Sequence, residues 1–212
     1  MSKNESDAIS YKIILIGNSS VGKTSIINRF LYNSFSENIF STIGVNIINK
    51  ALTLQNSQKI ILNVHDTAGQ EKYRSLSKSF FRNVDEVLFV YAINNLESFR
   101  NIKDWIQLFM ENHNGKKDIP HYLIENKNDL DRDVEEYLID EFLNENKLFK
   151  FKSISAKIDE GNSINELFQE IGEILNKDYK KTGKNQRKLV ITKHEVKKNK
   201  KGCVCSMKAN DA

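Results

Sequence analysis

Apolar and polar residues fall in blocks along the chain, and the period of each block predicts an element. Residues 11–17, "YKIILIG", are an apolar run closed by glycine, which predicts a buried strand. "KTSIINRFLY" follows, with Ile26, Ile27, Phe30 and Leu31 at helical spacing. "VNIINKALTL" and "QKIILNVH" predict two strands, and the intervening "QNSQ" can make a hairpin turn. "EVLFVYAI" predicts a further buried strand, and "HYLIEN" and "FKSISA" predict short ones. "SFRNIKDWIQLFM" places Phe99, Ile102, Trp105, Ile106 and Phe109 on one helical face. "VEEYLIDEFLNEN" is amphipathic, and "SINELFQEIGEIL" sets Ile164, Leu167, Phe168 and Ile171 on the inner face of a last helix. Strands alternating with helices predict an α/β fold whose mostly parallel sheet is covered on both faces. The apolar period fades from about Thr182, where lysines dominate, so a flexible tail is expected there.

Composition adds boundaries. The 212 residues suit one domain plus a tail, and 39% apolar content is enough for a core. Two cysteines cannot make a disulfide framework, so a reducing compartment is expected. The first residues, "MSKNESDAIS", lack the apolar segment of a signal peptide, and Ser2 excludes the myristoylation pattern. No run approaches the ~18–20 apolar residues that span a bilayer. Net charge is +4, unevenly placed: from Lys177 onward 12 Lys/Arg stand against 3 Asp/Glu, so the body is mildly acidic and the tail basic. Such a tail suits an acidic surface.

The chemistry begins at "GNSSVGKT", Gly17 to Thr24, set between predicted strand and helix. It matches the phosphate-loop pattern G-x-x-x-x-G-K-[ST]. Glycines let the backbone wrap phosphates with inward N–H groups, and the helix N-terminus adds positive potential. Candidate nucleotide contacts are Gly17, Asn18, Ser19, Ser20, Val21, Gly22, Lys23, Thr24 and Ser25, with Lys23 reaching the β- and γ-phosphates and the Thr24 hydroxyl ligating Mg²⁺. Kinases, ATPases and GTPases share this motif, so it selects neither base nor reaction.

Three later stretches narrow the choice. In "DTAGQE", Asp66 at a strand end can hold Mg²⁺, and Gly69 can bring a backbone N–H to the γ-phosphate. In "NKND", the Asp129 carboxylate can accept from the guanine ring N–H and exocyclic amine, a pair adenine does not offer. In "SAK", Ser155 to Lys157, the Ala156 N–H can meet the guanine carbonyl. Each is weak alone; a turn or polar loop accounts for any one of them.

In this order, with "STIG" between the first two, they resemble the Ras superfamily of small GTPases across residues 11–176, and "FSTIGVN", "EKYRSLSKSFFR" and "ESFRNIKDW" look most like the Rab family. The resemblance implies a G domain whose six-stranded, mostly parallel sheet has one antiparallel edge strand. It implies a first switch over residues 33–42, with Thr42 on Mg²⁺ and γ-phosphate and Phe35 against base or ribose; for Phe35 an ordinary core contact is the alternative. Asn126, Lys127 and Asp129 would surround guanine, Thr24, Thr42 and Asp66 would hold the metal, and Gln70 would orient the attacking water. Lys23, Thr42 and Gln70 are thus the expected catalytic groups of GTP hydrolysis to GDP and phosphate. No catalytic arginine is evident within the motifs, so slow turnover and an activating protein are expected. Other implied partners are an exchange factor, effectors that read the two switches, and a prenyl-binding escort. The chain is expected to be a monomer that serves vesicle traffic, moving between cytoplasm and the cytoplasmic face of endomembranes. A binding module with little hydrolysis, another signalling GTPase of the superfamily, and a P-loop kinase or ATPase remain the alternatives.

Several positions depart from the Rab pattern. Asn46, Ile47, His65, Phe80, Ala92 and Glu125 stand where that pattern more often has other residues. Ile47, His65 and Phe80 occupy positions where Rab proteins often present three aromatics to effectors. His65 reads as an interswitch surface residue, with titration near neutral pH as the alternative. Glu125 puts negative charge beside the base site and is expected to weaken guanine binding unless its side chain points away. The expected organisation is a flexible N-terminus over 1–10, a G domain over 11–176 and a basic flexible tail over 177–212. Nucleic-acid binding by that tail is not expected, since no aromatic residue lies among its lysines from Thr182 onward. "CVC", Cys203 to Cys205, has the spacing of a doubly geranylgeranylated Rab-like ending, but "SMKANDA" follows it. S-palmitoylation, or no lipid, stays open.

Overall fold

The computed structural model describes residues 9–38, 40–42, 44–67, 69, 80–114, 121–159 and 162–182. Among them, in chain order, lie β1 (Ile9–Ile16), α1 (Lys23–Tyr32), β2 (Val45–Thr53), β3 (Lys59–Thr67), β4 (Glu86–Ala92), α2 (Leu96–Arg100), α3 (Ile102–Asn112), β5 (His121–Asn126), α4 (Glu136–Glu145), β6 (Phe149–Ser153) and α5 (Ser163–Thr182).

The strands form one six-stranded sheet in the order β2-β3-β1-β4-β5-β6. All neighbours are parallel except β2 and β3 (Val45↔Thr67 to Thr53↔Lys59), so the antiparallel strand lies at an edge, as the family resemblance implies. Strand periodicity sorts the interior into two layers. Tyr11, Ile13 and Leu15 of β1 join Leu88, Val90, Tyr122 and Ile124 in a core under α1 and α5. Ile14 and Ile16 join Val87, Phe89, Tyr91 and Leu123 in a second core under α2, α3 and α4. On the first face Phe30 of α1 stacks on Phe168 of α5, ring centroids 3.9 Å apart.

The "QNSQ" turn forms the expected hairpin, closing with Leu54 N–H donating to Gln58 O and putting Ser57 at φ 63°, a left-handed position taken here without glycine. The chain path departs from the sequence-based expectation in three places. The helix expected over 98–110 is two helices meeting at Asn101. Asn95 Oδ1 caps the first by accepting from Ser98 N–H at 2.8 Å, while Ser98 Oγ donates to Asn95 O and accepts from Ala92 N–H. The strand expected over 151–156 is Phe149–Ser153, because Ile154 to Ala156 leave the ladder and turn toward the carboxyl ends of the strands. At the chain's ends, Ile9 and Ser10 already pair with Ile60 and Ile61, and α5 runs past residue 176 to Thr182. Leu175 and Tyr179 continue its apolar stripe against the core, which is the reason it does not stop. Residues 1–8 and 183–212, with Cys203 and Cys205, lie outside the described residues. No helix among the described residues is long and apolar enough to cross a membrane.

His121 begins β5 inside the second core, edge-on to Phe89, Phe109 and Phe149, and neither ring nitrogen has a hydrogen-bond partner among the described residues. Burial, helped by the charge of nearby His113, lowers its pKa to about 4. As pH falls, the unfolded chain takes up this proton near 6.5 and the folded chain only near 4, so stability holds above that window and is lost through it. His121→Leu removes the titrating group. Denaturant unfolding between pH 7 and 4 should show the variant gaining on the wild type as pH falls, by up to on the order of 3 kcal/mol; parallel stability curves would contradict this.

Candidate functional site

In a sheet of this order, β1 has its next partners on opposite sides, and helices leave from opposite faces at its carboxyl end. The loops after β1, β3, β5 and β6 meet there around a cleft of about 390 Å³. Lys23, Thr42, Gly69, Asp129 and Lys157, far apart in sequence, all line it.

The loop after β1 is shaped by close contacts. A Cβ on Gly17 would lie 2.1 Å from the Val90 carbonyl oxygen, and one on Gly22 (φ 97°) would lie 2.2 Å from Asn126 Nδ2. Ser20 adopts φ 62°, which helps turn successive N–H groups inward as an anion nest. No side chain caps the N-terminus of α1, so its first N–H groups remain for a ligand. Lys23 Nζ donates to the Gly17 and Asn18 carbonyls at 2.9 and 2.7 Å. Burial lowers its pKa to about 8, a shift that nearby Asp66 opposes. Trp105 of α3 reaches under the loop, its Nε1–H donating to Asn18 Oδ1 at 2.7 Å.

Beside Lys23, three oxygen side chains converge. Thr24 Oγ1 lies 2.8 Å from Asp66 Oδ2 and 3.0 Å from Thr42 Oγ1, with Thr42 Oγ1 3.4 Å from the same carboxylate oxygen. Asp66 Oδ1 is buried with no hydrogen-bond partner among the described residues. Burial raises the Asp66 pKa, against the bonds from Thr24 and Thr42 and the charge of Lys23. Two hydroxyls and a carboxylate with an unsatisfied oxygen are a hard donor set that suits Mg²⁺. Gly69 lies so near that a Cβ on it would come within 2.4 Å of the Asn18 and Ser19 backbone. Gln70, the expected water-orienting residue, lies outside the described residues.

At the other end Asn126 joins three motifs: its Nδ2 donates to Val21 O at 2.8 Å, and its Oδ1 accepts from Ala156 N–H at 3.1 Å. Lys127 follows at φ 65°, a left-handed conformation uncommon for a side chain of its length. Ser155 Oγ donates to Asp129 Oδ1 and accepts from the N–H groups of Lys157 and Ile158. Phe35 lines the cleft and packs against the first core.

One open alternative is decided and one expectation fails. Glu125 points away from the cleft: it is fully buried on the side of the second core, where Arg132 meets it with two donors at 2.9 and 3.0 Å. Its charge is compensated there, so the expected weakening of guanine binding loses its basis. His65 is not a surface residue, being 5% exposed, and it is not poised near neutral pH. Burial and the charge of Lys12 lower its pKa to about 4, and its Nε2 pairs with Asn63 Oδ1.

The sequence reading missed Arg29. From the last turn of α1 its guanidinium donates to Ala156 O, Lys157 O and Asn33 O at 2.9–3.0 Å, tying the "SAK" loop to the root of the first switch. Lys157 Nζ adds an ion pair to Glu37 at 2.9 Å. A basic residue in a last helical turn is a common C-terminal pattern, and nothing local announces so distant a contact. For Trp105 the indole N–H was a usable signal, since a buried indole usually finds an acceptor.

The sequence pattern of the Ras family matches residues 12–177. The chain is 38% identical over 159 residues to "Ras-related protein Rab-32D" of Dictyostelium discoideum, covering 73% of this chain and 69% of that protein. It is 33% identical over 196 residues to "GTP-binding protein YPT52" of Saccharomyces cerevisiae, covering 79% and 82%. A 40% identical match to the mouse "Ras and EF-hand domain-containing protein homolog" covers 59% of this chain but only 19% of that larger protein.

Arg29→Gln should loosen the base-side wall without touching the phosphate loop. Release of bound GDP, followed by loss of a fluorescent analogue's signal, is expected to accelerate about tenfold, the equivalent of one net charge-assisted hydrogen bond. An unchanged release rate would show that the clamp does not hold the nucleotide.

Proposed function

The chain belongs to the Ras family, with Rab and Ypt proteins among its relatives, and on that footing we propose that it is a GTP-hydrolysing switch serving vesicle or membrane traffic. The observation that carries this reading is the Asn126 side chain bonded to both Val21 and Ala156, since it unites a phosphate loop with a base-reading loop in one cleft.

The cleft's geometry supports the following roles, except that of Gln70, which rests on the resemblance alone. The N–H groups from Asn18 to Ser25 and the Lys23 ammonium would hold the phosphates, and charge developing on the γ-phosphate in the transition state would be met by groups already in position. Thr24, Thr42 and Asp66 would hold Mg²⁺, which when bound neutralises phosphate charge. Thr42 and Gly69 would sense the γ-phosphate, so that its loss frees the first and second switches. Asp129 would read guanine, with Ser155 fixing one of its carboxylate oxygens and the Ala156 N–H beside the base carbonyl. Phe35 would cover the base or ribose. Gln70 would orient water. With no catalytic arginine evident in the nucleotide motifs, turnover would be slow until an activating protein adds one, worth ~10³–10⁵-fold. An exchange factor and effectors would complete the cycle.

The basic tail from Lys177, whose first turns belong to α5, would approach an anionic cytoplasmic membrane face, each Lys or Arg contributing about 1 kcal/mol near the surface. Lipids on Cys203 and Cys205 would make that contact stable, since two chains hold where one does not.

Phosphate release decides the enzymatic part of the reading. Gln70→Leu should lower GTP hydrolysis at least about tenfold while GDP binding stays unchanged; a wild type silent even with candidate activators would reduce the chain to a binding module. Competition decides the base: ATP should fail to displace labelled GDP from the wild type, and Asp129→Ala should weaken GDP binding by about 100-fold or more. Displacement by ATP as readily as by GTP would overturn the guanine assignment. Mass analysis of the C-terminus from the native cell should find two lipid adducts on Cys203 and Cys205; unmodified thiols would remove the anchor.

A further inference from the structure

Glu125 is an anomaly inside β5. The strand is otherwise apolar at its centre, and the carboxylate is wholly removed from solvent on the face away from the cleft. A buried charge is tolerated only with full compensation. Here it is complete: Oε2 accepts from Tyr91 Oη at 2.8 Å and Arg132 Nη1 at 2.9 Å, and Oε1 accepts from Ser153 Oγ at 2.8 Å and Arg132 Nη2 at 3.0 Å.

The partners are distributed in a way that core packing does not require. Arg132 and Glu125 bracket the loop that carries Asn126, Lys127 and Asp129, so their fork closes it as a ring. Arg132 Nη1 also donates to Val134 O, binding the start of the next segment. Ser153 extends the network from the other side, its Oγ accepting from Asn128 Nδ2 at 3.2 Å. The loop is therefore connected to one carboxylate on both sides of Asp129: at Asn128 through Ser153, and at Arg132, three residues beyond, directly. The loop needs such restraint, because Lys127 sits in a left-handed conformation that an unrestrained side-chain-bearing residue disfavours.

Resting on the guanine reading above, we propose that Glu125 is a positioning residue for base recognition: with Arg132 and Ser153 it presets the loop so that Asp129 meets the guanine edge without reordering on binding. It touches no part of the nucleotide. Preorganisation of this kind raises affinity by removing an ordering cost from the binding step, and it sharpens selectivity because a loosened Asp129 satisfies two base donors less well than one.

Inosine nucleotides supply the readout, since they keep the ring N–H and lack the exocyclic amine. Glu125→Gln keeps the shape and removes the charge, leaving Arg132, whose side chain is 33% exposed, in reach of water. Arg132→Lys keeps the charge and replaces the two-pronged fork with a single point donor. Affinities for GDP and IDP would be measured for wild type and both variants, with thermal unfolding as a check on folding. The expected result is GDP affinity lowered about tenfold or more in Glu125→Gln, IDP affinity lowered less, and the GDP-to-IDP preference reduced at least about threefold, with Arg132→Lys intermediate. A merely structural role would lower both affinities together and keep their ratio. A folded variant with the wild-type ratio overturns the proposal. Should Glu125→Gln fail to fold, Arg132→Lys decides on the same ratio. A wild type that binds GDP and IDP alike overturns the guanine reading and this proposal with it, whereas a discriminating wild type with equally discriminating variants overturns this proposal alone.

Discussion

One amide holds the cleft together. Asn126 emerges from the end of β5 and spends both ends of its side chain on other loops, donating to Val21 O and accepting from Ala156 N–H. It is 1% exposed, so neither bond competes with bulk water. Gly22 must be glycine at this contact, since a Cβ there would strike the Asn126 amide. Substituting the amide would leave two buried backbone groups without partners, each at a cost of about 1–3 kcal/mol. The loops after β1, β5 and β6 are therefore not independent attachments to the sheet, and a shift in one is transmitted to the others.

The interior tolerates several ionisable groups, each by a different device. Glu125 is neutralised by an arginine fork. Lys23 is bonded to two carbonyls and lies near Asp66. Glu86 is raised well above the ordinary carboxylate range by burial, against a bond from Val87 N–H. His65 and His121 are held neutral at ordinary pH. The first two devices serve loops at the carboxyl ends of the strands. Glu86 and His121 instead lie at the amino-terminal ends, remote from the cleft, where an ionisable group has only its burial cost to show.

Much of the layout could be read from the sequence. α1 begins and ends where its apolar spacing does, and the hairpin, the parallel order and the two-sided cover follow from the alternation of periods. Four of the stretches singled out by motif are near one another in space: Lys23, Asp66, Asp129 and Ala156 gather around the same cleft. What could not be read depends on contacts at a distance. The pairing of Glu125 with Arg132 leaves no trace in periodicity, and a charge in an apolar strand looks like exposure to a ligand until its partner is seen. Ile154 and Ala156 are apolar and buried in a loop, and so imitate strand. Asn101 divides one apolar face between two helices without disturbing its spacing. Arg29 and Trp105 have local explanations that conceal their reach toward the cleft.

The hairpin of β2 and β3 carries a consequence for the solvation of the surface it exposes. Its face presents Ile47 across from His65 and Asn49 across from Asn63, and Asn63 Nδ2 donates to Asn49 Oδ1 at 2.6 Å. The imidazole is sunk beneath this surface, not displayed on it. A visitor that docks by sliding a ring onto rings would find amides whose hydration must be stripped without return. Covering that face with an apolar ring therefore carries a desolvation cost that a purely aromatic face would not impose.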